Sequence, residues 1–247
     1  MIYEWKSRVR YSEIGVDGKL TLTALVNYFQ DCSTFQSEEL GLGWRYLAAH
    51  KKAWVLSSWQ IEVKRYPSMG ENITVKTWAH SFKGFYGGRN FLMVDEREEV
   101  LAYANTNWVF MDVETGHPAK TAQEEAEAYG LEEPYEMTYA PRKISFPEDA
   151  VPMEGFQIGK QHLDTNHHVN NEEYIAMAQE YLPEDWGVSS MRAEYKKAAL
   201  LHDIVIPFVK QEKERCTVAL CDEQKKPYAI VEFYRKTLGK EKVRKEI

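Results

Sequence analysis

Apolar residues recur along this chain with two periods, one close to 3.6 residues and one of two, and the sequence passes through both twice. Val9 opens a short extended segment. Leu22, Leu25, Val26, Phe29, Cys32 and Phe35 then fall on one helical stripe, with Thr21 or Thr23 placed to cap it. Val55, Ser57, Trp59, Ile61 and Val63 alternate with more polar neighbours, as a half-buried strand does. Pro67-Ser68-Met69-Gly70 breaks that strand, and Ile73, Val75, Thr77 and Ala79 begin the next. Further strands are expected over 86–95 and 101–112, where Gly116-His117-Pro118 stops the run.

From Ala119 to Asp149 the periodicity weakens into charge, proline and small residues, which predicts a surface connector. The first plan then returns. Residues 155–160 look extended, and Tyr174, Met177, Ala178 and Tyr181 give a helix over 171–182. Strands are expected near 189–197, 203–210, 215–221 and 228–236. A repeat of this length predicts two similar units, 1–120 and 151–247, joined by 121–150. The class is α+β, with a strongly curved antiparallel sheet wrapping each long helix.

The stretch before each helix carries a local echo. Val16-Asp17-Gly18-Lys19-Leu20 precedes the first as Leu163-Asp164-Thr165-Asn166-His167-His168-Val169 precedes the second. Only the second copy brings a carboxylate, an amide and imidazoles together. In an extended segment Asp164, Asn166 and His168 would share one side. A base, an orienting acid and an amide donor beside a helix N-terminus suit attack on a carbonyl. Capping accounts for Asn170 or Asn171, and Asn170 with Glu173 resembles a capping box, but capping requires neither His168 nor the amide at 166. A metal site is disfavoured. Adjacent histidines on an extended segment point apart, and no HExxH or Cys/His ligand spacing accompanies His162, His167 and His168. No GxSxG elbow occurs, and Gly84-Phe85-Tyr86-Gly87-Gly88 lacks the lysine of a phosphate loop, so it reads as a strand bend. No cofactor is implied.

Bulk properties narrow the setting. The 247 residues include seven Trp and fifteen Tyr, ample for a large apolar interior. No run is long enough to span a membrane and the opening residues lack an apolar signal segment, so a cytoplasmic protein is expected. Three cysteines form neither an even framework nor a CxxC pair, which fits idle thiols in a reducing compartment. A net charge of −7 argues against nucleic acid as the main partner. Local positive clusters at Lys64-Arg65, at Arg192 with Lys196-Lys197, and over 236–245 nonetheless suit an acidic protein partner.

With these residues placed, the sequence resembles the acyl-[acyl-carrier-protein] thioesterases of plants and bacteria, which are double hotdog proteins. In the first half the likeness rests on Asp17 with the helix-one segment, Trp54-Val55-Leu56, and Arg65-Tyr66-Pro67-Ser68-Met69-Gly70-Glu71. In the second it rests on Asp164-x-Asn166-x-His168-Val169-Asn170-Asn171-x-x-Tyr174 and on Glu194-Tyr195. The resemblance implies hydrolysis of the thioester joining a fatty acyl chain to the phosphopantetheine arm of acyl carrier protein, releasing fatty acid. It implies that His168 acts as general base for water, Asp164 orients or tunes the site, and Asn166 holds the carbonyl or the water. Backbone amides at the start of the second helix would form the oxyanion site. Trp54, Asn170 and Asn171 would bind substrate. Trp54, Trp59, Trp78, Phe85, Phe91 and Trp108 would line an acyl pocket in the first half, with the polar trio at its mouth.

One departure stands out. Family members commonly carry Glu, often followed by Cys, shortly after the Glu-Tyr pair; here Tyr195-Lys196-Lys197 leads into Ala198-Ala199. Glu194 shares a strand face with Ala198 but lies ~13 Å away by strand rise, and Asp203 is a weak substitute. In some smaller hotdog thioesterases a carboxylate attacks the thioester directly, a role open to Asp164. Acyl-CoA hydrolysis, a hydratase or dehydratase, and feeble acyl binding are the alternatives. Hotdog hydratases usually place His five residues after Asp with an intervening Pro, a pattern absent here. A homodimer is compatible with the sequence.

Overall fold

The computed structural model describes residues 1–235, so the basic run over 236–245 lies outside the described residues. Thr21 fixes the start of helix α1 (Leu22–Glu39), its Oγ1 accepting the Ala24 amide at 3.2 Å. Leu22, Leu25, Val26, Phe29 and Cys32 are buried as the stripe predicts. Phe35 is not; it is 40% exposed and meets Trp5 edge-on at 5.0 Å. Gln36 takes the buried place at that end, where its side-chain oxygen accepts from Arg89.

The strands are β1 (Tyr3–Arg8), β2 (Lys52–Val63), β3 (Asn72–Lys83), β4 (Tyr86–Asp95) and β5 (Val100–Asp112), then the short β6 (Val151–Pro152) and β7 (Phe156–Gln157). They continue as β8 (Val188–Tyr195), β9 (Ile204–Gln211), β10 (Arg215–Cys221) and β11 (Pro227–Arg235). Two sheets were expected, and they are fused into one. Its order is β1-β3-β4-β5-β2-β8-β11-β10-β9-β6, with β7 on β9. The seam is the antiparallel pairing of β2 with β8, from Ser58↔Glu194 to Glu62↔Ser190. Apart, each would present an edge of unpaired N–H and C=O groups; together they satisfy one another.

Helix α4 (Asn171–Gln179) packs against β10 and β11 and touches α1, so both long helices lie on one face of the sheet. Between α1 and the sheet, Phe29 stacks on Trp59 at 6.1 Å and meets Phe91 at a tilt at 5.2 Å. Two further helices, α2 (Trp44–Ala49) and α3 (Gln123–Tyr129), were not expected. Neither buries a stripe: α2 has no buried side chain and α3 only Tyr129, so neither leaves a periodic trace.

The predicted surface connector runs as a strap across the opposite face. Successive residues of β4 divide the work, Arg89 and Phe91 facing α1 while Asn90 faces the strap. Asn90 Oδ1 accepts from the Tyr135 amide at 3.0 Å and the Tyr139 hydroxyl at 3.1 Å. Further along, Gln60 donates to the Thr138 carbonyl at 2.8 Å and Glu194 accepts the Ile144 amide at 2.7 Å. Ile144 and Phe146 then pack on Ala219, Cys221 and Ile230.

The duplication is visible bond by bond. Gly15 N→Lys19 O, Gly18 N→Gly15 O and Thr21 N→Glu13 O recur as Asp164 N→His168 O, His167 N→Asp164 O and Asn170 N→His162 O. Leu20 N→Pro67 O recurs as Val169 N→Ala199 O. This corrects the register of the echo: Gly15, not Asp17, is the counterpart of Asp164, and Asp17 is that of Asn166.

Candidate active site

The 163–169 segment is a tight turn, not the extended strand its alternation suggested. An isolated bridge, Leu163↔Val169, closes its base. Inside it Asp164 Oδ1 accepts the backbone amide of Asn166 at 2.7 Å and that of His168 at 3.2 Å, while Oδ2 faces the side-chain Nδ2 of Asn166 at 3.5 Å. Asp164 thus holds the loop by the side-chain-to-backbone bonding that Asp offers in turns. His167 stands at φ +61°, where the first copy has Gly18 at +73°. The turn brings Asp164, Asn166 and His168 together with both Asn166 and His168 exposed to solvent. Every position of it that could bear chemistry differs from the first copy, which has Gly15, Asp17 and Lys19 in their place.

Beside the turn runs the loop after β8. His168 pairs with Leu200 across an isolated bridge, and Val169 donates to the Ala199 carbonyl at 3.1 Å. The Ala199 amide donates to the Tyr174 hydroxyl at 2.8 Å, and the Tyr195 hydroxyl donates to the Asn171 carbonyl at 2.9 Å. Burial pushes the Tyr174 hydroxyl up to about 12, so it stays protonated. These two tyrosines of the sequence motifs fasten the α4 N-terminus and the Ala198–Leu200 loop together. Only their motif spacing hinted at this; nothing local in the sequence tells which carbonyl a tyrosine will reach.

The other expected site residues are placed as follows. Asn170 caps α4, its Oδ1 accepting from Glu172 N at 3.4 Å, and no reciprocal box with Glu173 forms. Asn171 is the first residue of the helix. Trp54 is half-buried on the α1 face, 4.7 Å from Phe110 and 5.9 Å from Phe82. It lies so close over Gly87 that a Cβ there would meet its ring at 3.1 Å. Trp59 and Phe91 sit in the core beneath α1. Trp78 is a correction: it lies on the strap face, its Nε1 donating to the Glu133 carbonyl at 3.0 Å, so it cannot line a pocket under α1.

One cavity, of about 670 Å³, lies at the β1 edge between Lys6, Arg8, Asn72, Asp95 and Glu98. Another, of about 10 Å³, lies under the strap by Gln60, Asn107 and Arg192. Neither is lined by the turn. Neither acid near the family's Glu position stands in for it: Asp203 Oδ2 accepts from Leu200 N at 3.0 Å and the Tyr228 hydroxyl at 3.2 Å, and Glu194 faces the strap. Burial lifts Cys32 to about 12 and Cys216 and Cys221 to about 11, which leaves them as inert thiols.

The family model of the acyl-ACP thioesterase N-terminal domain matches residues 1–129. The chain belongs to the acyl-ACP thioesterase family. Solved structures of an acyl-ACP thioesterase from Bacteroides thetaiotaomicron and a 12:0-ACP thioesterase from Umbellularia californica have the same double hotdog fold. The first superposes with a TM-score of 0.87 at 20% identity, covering 95% of this chain and 98% of that one. The second gives 0.82 at 19%, covering 95% and 97%. By sequence, the chloroplastic oleoyl-acyl carrier protein thioesterase of Coriandrum sativum is 25% identical over 239 residues, 87% of this chain and 64% of the relative. A chloroplastic acyl-[acyl-carrier-protein] hydrolase of Cuphea viscosissima is 31% identical over 191 residues, 71% of this chain and 45% of the relative. The chain therefore spans about half to two thirds of the length of these curated relatives. The family model covers the half without the Asp164 turn.

Proposed function

We propose that the protein hydrolyses the thioester of a fatty acyl chain borne on acyl carrier protein, giving free fatty acid and the carrier thiol. The observation that carries this reading is the second-copy turn, in which a carboxylate holds the backbone of an exposed histidine beside a helix N-terminus in a chain of this family. In this reading His168 takes a proton from water as the water oxygen bonds to the thioester carbonyl carbon. The carbonyl oxygen gains charge against Asn166 and the Asn171 amide, an orphan donor by its place at the head of α4. The carbon–sulfur bond then breaks, and the imidazolium returns its proton to the departing thiolate. Asp164 orients the site through the backbone. With Oδ1 already accepting two amides, its carboxylate is poorly disposed to attack. We place the reaction in the cytoplasm, where thiols stay reduced.

The carrier's acidic surface would meet cations flanking the turn. Arg192 is withdrawn from the expected set, because it is tied to Glu232 at 2.7 Å and to the strap carbonyl of Pro141 at 2.5 Å. Lys197 remains: it pairs with Asp222 at 3.1 Å, but its side chain is 53% exposed at the loop leading into Ala198. The test is thiol release from acyl-carrier substrates of graded chain length. Release no faster than the buffer rate at every length would end this reading. Lys197→Glu is expected to raise KM for acyl-carrier protein about tenfold at low salt while leaving KM for acyl-pantetheine unchanged. An unchanged KM for the carrier substrate would remove Lys197 from the docking surface.

A further inference from the structure

The two copies differ at one more place, which the turn itself does not explain. In the first, Tyr66 follows β2 and is largely shielded, its hydroxyl donating to the Val188 carbonyl at 3.1 Å. Val188 stands at a β-bulge, where the β8–β11 register skips Ser189. In the second, Lys196 and Lys197 bond the Tyr228 carbonyl as Lys64 and Arg65 bond that of Leu101, which puts Ala198 in the place of Tyr66. The partner bulge is duplicated as well: the β2–β5 register skips Ser57, and Leu56 stands where Val188 stands. Because β2 and β8 pair symmetrically, Ser58↔Glu194 against Glu62↔Ser190, the twofold relation carries the Tyr66–Val188 contact onto Ala198 and Leu56. Ala198 is exposed and brings no hydroxyl.

Resting on the thioesterase reading, we propose that the gap over Ala198 is the groove for the substrate's pantetheine arm, running between the Asp164 turn and the β2 bulge. The Leu56 carbonyl accepts an amide N–H of that arm, as the Val188 carbonyl accepts the Tyr66 hydroxyl. The chemistry matches. A pantetheine arm is a narrow chain with two secondary amides, and a strand bulge bends the backbone and interrupts its ladder, a device common beside active sites. The position matches as well. The Ala198 loop is held against the turn through Ala199 and Leu200, so an arm lying over it delivers its sulfur beside His168. Trp54 lies on the same face of β2 as Leu56, two residues along, and marks the continuation toward the first half. The small residue here is room for substrate, and the first copy is the same groove sealed by tyrosine.

Ala198→Tyr should rebuild that seal. With the wild type as reference, kcat/KM for acyl-carrier protein is expected to fall about 30-fold or more with Tm unchanged or raised, and Ala198→Leu, which blocks without the hydroxyl, to fall less. A second arm needs no turnover. Calorimetry in the His168→Ala background with an S-alkyl pantetheine, a thioether that cannot be hydrolysed, should show Ala198→Tyr binding about tenfold weaker or worse. Wild-type hydrolysis with both variants within about twofold of it would overturn the groove and leave the thioesterase reading intact. No wild-type hydrolysis would overturn that reading instead, and the thioether would then decide the groove: selective loss in Ala198→Tyr supports it, while equal binding or none refutes it. Should Ala198→Tyr fail to fold, Ala198→Leu decides in both arms.

Discussion

His168→Ala is expected to lower kcat for thiol release from acyl-carrier protein by about 10²–10⁴, with KM little changed. The turn makes this a clean experiment. His168 is held by its backbone, its amide donating to Asp164 Oδ1 and its carbonyl accepting from the Asp164 amide, so losing the imidazole leaves the scaffold in place. Asp164→Ala should behave differently, losing activity and thermal stability together, because it frees the Asn166 and His168 amides at once. Asp164→Asn, which keeps an acceptor, should recover more of the stability than of the rate. Single turnover in ¹⁸O-water should leave the Asp164 carboxylate unlabelled, and label found there would transfer the attack to Asp164. Equal release by wild type and His168→Ala would discard the base.

Much of the fold was legible, and the parts that were not share a cause. β4 and β10 lie within the limits their alternation set, and Thr21 caps α1, because one-sided burial leaves its period in the sequence. Period says nothing of what lies beyond the sheet edge, so the fusion of β2 to β8 had no trace along the chain. The anchoring of the strap leaves no trace for a related reason. Its contacts are made chiefly by backbone groups and single polar side chains, such as Tyr135 N on Asn90 and Ile144 N on Glu194, and these impose no spacing.

The site divides in the same way. Asp164, Asn166 and His168 declared themselves by residue type, and the structure brings them into one turn. Their geometry was missed because the same alternation serves a strand and an Asp-closed turn, and only Gly18, in the sister copy at φ +73°, hinted at the left-handed position that His167 fills. Matching Asp17 to Asp164 puts the echo out of register, because identical residue types do different jobs in the two copies. Asp17 accepts the Lys19 amide from the position that Asn166 occupies. Aromatic composition alone places Trp78 in the pocket. Its alternation partner Ala79 faces α1, and that decides the matter against it.

Glu194→Ala is expected to destabilise the protein by about 2–4 kcal/mol, lowering Tm by roughly 5–15 °C. Glu194 and Tyr195 form a motif that resemblance singled out, and their alternation on β8 explains why both are needed. Tyr195 reaches the helix face and holds the Asn171 carbonyl; Glu194 reaches the strap face, where it is buried, accepts the Ile144 amide at 2.7 Å and pairs with Lys196 at 2.9 Å. Alanine there leaves a buried amide without an acceptor beside an unpaired ammonium, at the point where the strap crosses the seam between the halves. Glu194→Gln retains the acceptor and should regain more than half of the loss. The strap should also loosen first, so limited proteolysis of Glu194→Ala should cut within 130–150 under conditions that leave the wild type whole. A variant with unchanged Tm and an uncut strap would show that the Glu194 anchor adds nothing to the hold between the halves, and the buried carboxylate would then need another reason to exist.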